Sequence, residues 1–157
     1  MTDAQTLSPD LSAAKSRFVY VTFIKTTPEA LWSALTTADF MKQYWFGIAI
    51  ESDWAVGSPW KMVRENGDVT DTGEVIACDR PRHLLLKWRN EFRPELKAEG
   101  YAFCAYDIEQ VEGAVKLTVT HTIDVEDAKF IVAVSGGWPR ILSNLKSLLE
   151  TGAVILS

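Results

Sequence analysis

Residues 135–152 read SGGWPRILSNLKSLLETG, and their apolar positions recur at steps of three and four. Those steps are the period of an α-helix, and at about 100° per residue they gather into one stripe roughly 120° wide. The stripe consists of Trp138, Ile141, Leu142, Leu145, Leu148 and Leu149. The opposite face is predicted to carry Ser143, Asn144, Lys146, Ser147 and Glu150. Pro139 suits the first turn, and Gly152 suits the left-handed position just past the end. The stretch therefore predicts one long amphipathic helix whose apolar side needs a partner.

The composition predicts one globular domain. The chain has 157 residues, of which 47% are hydrophobic and 24% are charged, which is enough for a sizeable core. Its formal net charge of -5 argues against a nucleic-acid partner, which would favour a basic face. The longest purely apolar run, Phe130–Val134, is too short to span a bilayer. The N-terminus shows no apolar signal core, and two cysteines imply no disulfide framework, so a cytoplasmic location is expected.

The first part of the chain predicts a strand followed by two short helices. Residues 1–16 are rich in Ala, Ser, Thr and Asp and are interpreted as a mobile tail, which leaves 17–157 as the domain. Arg17–Lys25 is β-branched and aromatic, which predicts a strand. Thr27 followed by Pro28 is typical of a helix start, and Asp39 is expected to cap a second short helix.

From residue 48 onward the pattern predicts strands separated by turns. The predicted strands span residues 48–50, 60–65, 69–78, 82–90, 101–111 and 115–123. Asn66-Gly67 is a strong signal for a type I′ hairpin turn, and Glu112-Gly113 marks a second hairpin. The charged stretch Glu91–Gly100 is expected to be a loop. Strands in series joined by hairpins form an antiparallel meander, so the predicted class is α+β, with a curved sheet around the C-terminal helix.

Alternation along the strands identifies the side chains that face this helix. In the last strand His121 shares a face with leucine, valine and isoleucine, whereas the alternate positions are mostly threonine, so His121 points inward. The same rule places on the inner face Trp60, Met62, Leu84, Leu86, Trp88, Cys104, Tyr106 and Ile108, with Arg64 on the side of Trp60. The inner face is therefore rich in aromatic side chains around a histidine.

That composition fits a ligand pocket, because such pockets are mostly apolar and contain a few convergent polar groups. The candidate ligand-binding residues are Trp60, Trp88, Tyr106, His121, Trp138 and Leu142. The alternative is that the aromatic side chains only pack the core. For His121 both interpretations stay open, because a buried imidazole needs partners for two nitrogens.

Other motifs predict no metal, no cofactor and no catalytic residue. The histidines and cysteines lack zinc-ligand spacing, and the chain contains no phosphate-binding glycine loop and no nucleophile elbow. Cys104 faces inward near His121, where a nucleophile is conceivable, but a small buried hydrophobe is the favoured interpretation. Asp107 and Glu109 lie on the outer face and are interpreted as solvated charges.

Four segments together resemble a known family. Thr27–Phe46 reads TPEALWSALTTADFMKQYWF, Gly73–Ile76 reads GEVI, Leu117–His121 reads LTVTH, and Gly137-Trp138 opens the last match. These segments resemble START-like proteins, also called the SRPBCC superfamily, and within it the activator of heat shock protein 90 ATPase homologue family. The matches extend from about residue 17 to residue 152, and their order and spacing are more specific than any one of them.

The resemblance implies a helix-grip fold with a deep pocket between the sheet and the long helix, often for hydrophobic ligands, including lipids. It therefore favours a small apolar or aromatic molecule as the partner of this chain. One alternative is an enzyme, such as a cyclase or hydrolase, that uses His121, Tyr106 and Arg64 in the same pocket. Another is a co-chaperone or stress-response module with a chaperone partner, which would require an exposed apolar patch.

Overall fold

The computed structural model describes residues 11–157. Within that range the strands are β1 Ser16–Ile24, β2 Ala49–Ser52, β3 Pro59–Val63, β4 Val69–Asp79, β5 His83–Asn90, β6 Ala102–Val111 and β7 Ala114–Ile123. The α-helices are α1 Pro28–Thr36, α2 Ala38–Tyr44, α3 Pro94–Lys97 and α4 Lys129–Thr151, and Leu11–Ala13 forms a short 3-10 turn. Residues 1–10 of the predicted tail lie outside the described range.

The strands form one antiparallel sheet in the order β1-β7-β6-β5-β4-β3-β2. Strands β2 to β7 follow one another as a meander, and β1 pairs with β7, so β1 and β2 are the edges. Register shifts between Met62 and Val63 in β3 and between Val75 and Ala77 in β4 interrupt the pairing. Such irregularities bend strands and increase their twist, which suits a curved sheet. The predicted α+β helix-grip fold is confirmed.

The inner face of the sheet is buried against α4, as the alternation predicts. In β7, Leu117, Val119 and His121 are fully buried. Leu84, Leu86 and Trp88 of β5 and Cys104, Tyr106 and Ile108 of β6 are buried as well. These side chains and the buried stripe of α4 belong to one apolar core. Leu85 on the other face is also buried, opposite Ala105 of β6.

The hairpin at Asn66-Gly67 differs from the type I′ prediction. A type I′ turn needs positive φ at both central residues, but only Gly67 has it, with φ 94°. The Gly67 N–H donates to Arg64 O and the Arg64 N–H donates to Asp68 O, so residues 65–67 form a three-residue loop. The register shift between Met62 and Val63 offsets the pairing of β3 and β4 by one residue. A two-residue turn cannot connect strands with that offset. The type I′ pattern instead occurs at Glu112-Gly113, where φ is 36° and 82°.

The short helices agree in part with the predictions. The Thr27 side chain accepts from the Ala30 N–H at 3.1 Å and Pro28 is the first helical residue, which confirms the predicted start of α1. The N-cap position of α2 is held by Thr37, without a side-chain capping bond, and not by Asp39, because the chain turns directly from α1 into α2 and Asp39 is already helical. The predicted loop 91–100 contains α3, whose Leu96 is buried.

Helix α4 begins at Lys129, six residues before the predicted start. Pro139 therefore lies inside the helix and not in its first turn. The earlier start is stabilised from another element, because the Glu99 carboxylate accepts from the Lys129 N–H at 2.8 Å and the Phe130 N–H at 2.9 Å. The helix ends as predicted, with Gly152 left-handed at φ 85°. Within residues 11–157, no helix combines the length and apolar content that crossing a bilayer requires.

Asn144 is buried, although the helical pattern places it on the polar face. Its Oδ1 accepts from the Ile155 N–H at 3.0 Å and the Leu156 N–H at 2.8 Å. Its Nδ2 donates to Leu156 O at 2.9 Å. The chain after Gly152 therefore folds back on α4 and covers this part of the polar face.

Candidate functional site

A cavity of about 200 Å3 lies between the inner face of the sheet and α4. The sheet contributes Met62, Asp71, Trp88, Asn90 and His121 to its lining. Helix α4 contributes Phe130, Ala133, Val134, Gly137, Trp138 and Ile141. Trp45, Arg93 and Leu96 complete it from the segments around α2 and α3. A cavity of about 150 Å3 can hold benzene, so this one has room for a molecule the size of one substituted aromatic ring.

His121 is the buried polar group at the centre of this lining. Its side chain is fully buried, and burial lowers its pKa to about 3. Its Nδ1 accepts a hydrogen bond from Trp138 Nε1 at 3.0 Å. A neutral imidazole that accepts at Nδ1 carries its proton on Nε2, and Nε2 has no hydrogen-bond partner among the described residues. The site therefore holds a buried N–H donor without an acceptor.

Aromatic rings surround this histidine on several sides. The His121 ring lies 5.0 Å from that of Trp88 and 4.8 Å from that of Phe130, both edge to face. Trp138 stands 6.2 Å from Trp88 and 5.3 Å from Trp45. Edge-to-face packing of this kind fixes ring orientation. The cavity walls around His121 are therefore mostly aromatic.

Asp71 is the functional candidate that sequence reasoning missed. Its side chain is 93% buried in the cavity wall, and its Oδ2 accepts from Trp88 Nε1 at 2.8 Å. Burial raises the pKa of this carboxyl, and Glu91 acts in the same direction, whereas hydrogen bonds from Trp88 and Asn90 oppose the change. Asp71 lies four residues before Val75, and this even spacing places both side chains on the inner face of β4. The sequence therefore contains a signal that identifies Asp71.

The structure brings three of the six predicted site residues, Trp88, His121 and Trp138, to the cavity. Trp60, Tyr106 and Leu142 are buried behind that lining. The Trp60 ring packs edge to face on Trp88, with ring centroids 4.7 Å apart, and the Tyr106 ring packs in the same way on Trp138 at 5.9 Å. These two rings support the wall without lining the cavity.

The other residues singled out from the sequence lie away from the cavity or are inert. Arg64 is exposed, with its guanidinium 4.2 Å above the Phe92 ring, so it does not meet His121 and Tyr106. Cys104 is fully buried, and burial raises the pKa of its thiol, which keeps it neutral. Asp107 is on the outer face, where its carboxylate lies 2.7 Å from His83 Nδ1. Among the described residues, no cluster of three or more His, Cys, Asp or Glu side chains could hold a metal.

A larger depression of about 710 Å3 lies on the outer face of the sheet. Its lining includes exposed charges from β2, β3 and β4, among them Glu51, Lys61 and Glu74. Solvated charges of this kind do not enclose a ligand, whereas the inner cavity has apolar walls and two buried polar groups. The inner cavity is therefore the better candidate site.

Comparisons with known proteins agree with this architecture. The family model described as Activator of Hsp90 ATPase homolog 1-like protein matches residues 25–150. The Aha1 dimer from Colwellia psychrerythraea, solved in solution, is 25% identical, with a TM-score of 0.71 over 87% of this chain and 98% of that chain. An HSP90 activator from Plasmodium falciparum is 22% identical, with a TM-score of 0.69 over 85% of this chain and 95% of that one. CalU16 from Micromonospora echinospora is 18% identical, with a TM-score of 0.69 over 87% of this chain and 77% of that one. A search of curated proteins finds no match.

Proposed function

Because the chain belongs to the family of Activator of Hsp90 ATPase homolog 1-like proteins, we propose that it binds a small aromatic molecule between the sheet and α4. Members of this family bind small ligands or activate Hsp90. The match to the family model confirms the sequence resemblance to this family. The ligand would contact Trp88, His121 and Trp138, while Trp60, Tyr106 and Leu142 would hold those side chains in place.

The observation that supports this proposal is the unpartnered Nε2–H of His121. Buried polar groups in folded proteins are almost always hydrogen-bonded, and leaving one unpaired costs about 1–3 kcal/mol. This one belongs to a residue that lines a cavity with aromatic walls. A ligand that fills the cavity and offers an acceptor atom would satisfy the donor.

The size of the cavity narrows the ligand class. About 200 Å3 is below the roughly 300–1,000 Å3 of pockets that bury drug-sized molecules. A single aromatic ring with short substituents fits this volume, whereas a sterol or a long fatty acid would require the walls to move. We therefore favour small aromatic ligands over lipids.

A thermal-shift screen of substituted benzenes, indoles, fatty acids and sterols tests the proposal. A compound that binds only the folded protein raises the melting temperature by mass action, so we expect single-ring aromatic compounds to raise it and sterols to leave it unchanged. His121→Phe should weaken the shift for compounds with an acceptor atom, and His83→Phe is the matched control because His83 lies on the outer face. The proposal is wrong if no aromatic compound stabilises the wild-type protein.

A second candidate function is binding to an Hsp90-type chaperone, and a surface feature favours it. Val19, Val21 and Phe23 project from the outer face of the edge strand β1, with 47%, 45% and 53% of their surface exposed. Three apolar side chains in a row on an edge strand form a patch that a partner protein could cover. The Plasmodium falciparum protein of similar fold is itself described as an HSP90 activator.

An ATPase assay with purified Hsp90 tests this second function. We expect the chain to raise the ATPase rate, and the double variant Val21→Ser/Phe23→Ser to lose the effect. Val132→Ser is the matched control, because Val132 is 71% exposed on α4. An ATPase rate that does not respond to the wild-type chain would exclude this function under the assay conditions.

A further inference from the structure

We propose that the cavity selects small aromatic molecules that carry a protonated amine at one end and a hydrogen-bond acceptor at the other. The amine would pair with Asp71 and the acceptor would receive the Nε2–H of His121. This inference rests on the proposed ligand-binding function and names the class of ligand for the same cavity.

The amine end follows from the surroundings of Asp71. The side chains that hydrogen-bond to its carboxylate are neutral: Trp88 and Asn90. Within residues 11–157 Asp71 forms no ion pair, so a buried carboxylate faces the cavity without a cation. Buried charges in proteins are normally paired. A ligand ammonium would supply the missing charge through a charge-assisted hydrogen bond.

The cationic side chains of Arg89, Arg93 and Lys97 are already engaged with other carboxylates. The guanidinium of Arg93, which also lines the cavity, donates to Glu95 at 2.8 Å. Glu91 pairs with Arg89 at 2.7 Å and with Lys97 at 3.1 Å. These pairs leave the Asp71 charge to be matched from inside the cavity.

The acceptor end follows from His121. Its Nδ1 is occupied by Trp138 Nε1, so the only free function it offers is the Nε2–H donor. A donor N–H repels an ammonium and attracts an oxygen or nitrogen lone pair. The two ends of a ligand must therefore differ, with the positive charge away from His121.

Trp88 contacts both polar residues and so determines where the aromatic ring of the ligand would lie. Its indole N–H reaches Asp71 at 2.8 Å, and its ring centroid lies 5.0 Å from that of His121. A para-substituted benzene lying along Trp88 would present one substituent to each polar group.

Four compounds of one shape separate the two contacts. 4-Methoxybenzylamine carries both functions, 4-ethylbenzylamine only the amine, 4-ethylanisole only the ether oxygen, and 1,4-diethylbenzene neither. Quenching of tryptophan emission gives the dissociation constant of each. Since a charge-assisted hydrogen bond contributes about 1.5–3 kcal/mol, we expect each amine to bind roughly 10- to 100-fold more tightly than its ethyl counterpart. Because the ether oxygen would satisfy the unpaired donor of His121, we expect each methoxy compound to bind at least about fivefold more tightly than its ethyl counterpart.

The variant Asp71→Asn removes the charge and keeps an oxygen for the Trp88 N–H. We expect it to abolish the amine preference, while His121→Phe abolishes the methoxy preference. Asp68→Asn is the matched control, because it removes the same charge from an exposed carboxylate three residues away. An amine preference that persists in Asp71→Asn overturns the inference.

The compounds also separate this inference from the proposed function. If all four bind equally, the cavity binds aromatic molecules but does not select by polarity, and only the inference is wrong. If none binds, the inference is wrong, and the proposed function is wrong as well when no other aromatic compound of the thermal-shift screen stabilises the protein. Should Asp71→Asn fail to fold, the comparison of the four compounds on the wild-type protein still decides, because equal affinities would overturn the inference without any variant.

Discussion

The burial of His121 has a measurable consequence for stability as the pH falls. The ordinary pKa of histidine is about 6.5, and burial lowers that of His121 to about 3. Below pH 6.5 the imidazole of His121 is protonated in the unfolded chain, whereas in the folded protein it stays neutral until the pH approaches 3. The contribution of His121 to stability is therefore fully present above pH 6.5 and is lost as the pH falls towards 3.

The size of this loss follows from the two pKa values. Linkage between protonation and folding gives a loss of about 2 kcal/mol between pH 7 and pH 5, and about 3 kcal/mol between pH 7 and pH 4. His83 acts with the opposite sign, because its hydrogen bond to Asp107 raises its pKa and so adds stability as the pH falls. The two effects must therefore be separated by substitution.

His121→Phe keeps a ring of similar size and cannot titrate. At pH 7 the variant leaves Trp138 Nε1 without its acceptor, an unpaired donor that costs about 1–3 kcal/mol. Between pH 7 and pH 5 we expect the wild-type protein to lose about 2 kcal/mol more than the variant does, so their stabilities converge. Urea unfolding followed by tryptophan fluorescence at both pH values measures this difference.

His83→Gln is the control for this experiment, because it removes the opposing titration and keeps His121. We expect the control to lose at least as much stability as the wild-type protein between pH 7 and pH 5. If His121→Phe and the wild-type protein lose the same stability over that range, burial does not lower the pKa of His121, and the reasoning above is refuted.

Four further substitutions test the fold that supports the site. Each is measured by urea unfolding unless another method is stated. Leu145 is fully buried on α4, so Leu145→Ala should cost about 2–5 kcal/mol, and a loss below about 0.5 kcal/mol would contradict the position of the helix. Gly67 has φ 94°, so Gly67→Val should cost more than about 1 kcal/mol, while Asp68→Ser changes stability little; equal effects would count against the loop geometry. Glu99 accepts from two amides at the start of α4, so Glu99→Ala should cost about 1 kcal/mol, unlike Glu109→Ala on the exposed end of β6. Asn144→Ala removes the acceptor of the Ile155 and Leu156 amides, and hydrogen exchange of those amides should accelerate; unchanged exchange would refute the role of Asn144.

Local pattern was sufficient to predict most of the sheet and its inner face. Alternation in β5, β6 and β7 identified the inward-facing side chains as buried, because these three strands pair with one another without a register shift. It placed Trp88 and His121 on the inner face, and the helical period placed Trp138 on the stripe of α4 that packs against them. The family resemblance added the helix-grip arrangement, which no single strand specifies.

The features that the sequence analysis missed depend on contacts between distant residues. Helix α4 starts at Lys129 because Glu99, thirty positions earlier in the chain, accepts from its first amides. Asn144 is buried because the C-terminal residues fold over it. Asp71 was missed although its spacing from Val75 places it on the inner face, because a carboxylate is usually an exposed residue.

Two glycines account for the shape of the cavity. Gly73 in β4 lies between Trp60 and Trp88, and a Cβ there would come within 1.7 Å of Lys87 O and 2.6 Å of Trp60 Nε1. Its missing side chain allows the Trp60 N–H to reach Lys87 O at 2.9 Å, which fixes Trp60 and the Trp88 ring against it.

On the opposite wall, Gly137 of α4 lines the cavity, and a Cβ there would meet only Ile141 Cδ1, at 3.9 Å. A glycine inside a helix costs roughly 0.5–1 kcal/mol relative to alanine, and packing does not require it at this position. A larger side chain at residue 137 would project into the space beside Trp138. Gly73 thus lets Trp60 support the wall of the cavity, and Gly137 leaves the space beside Trp138 open at a cost in helix stability, which supports the proposal that this site receives a ligand.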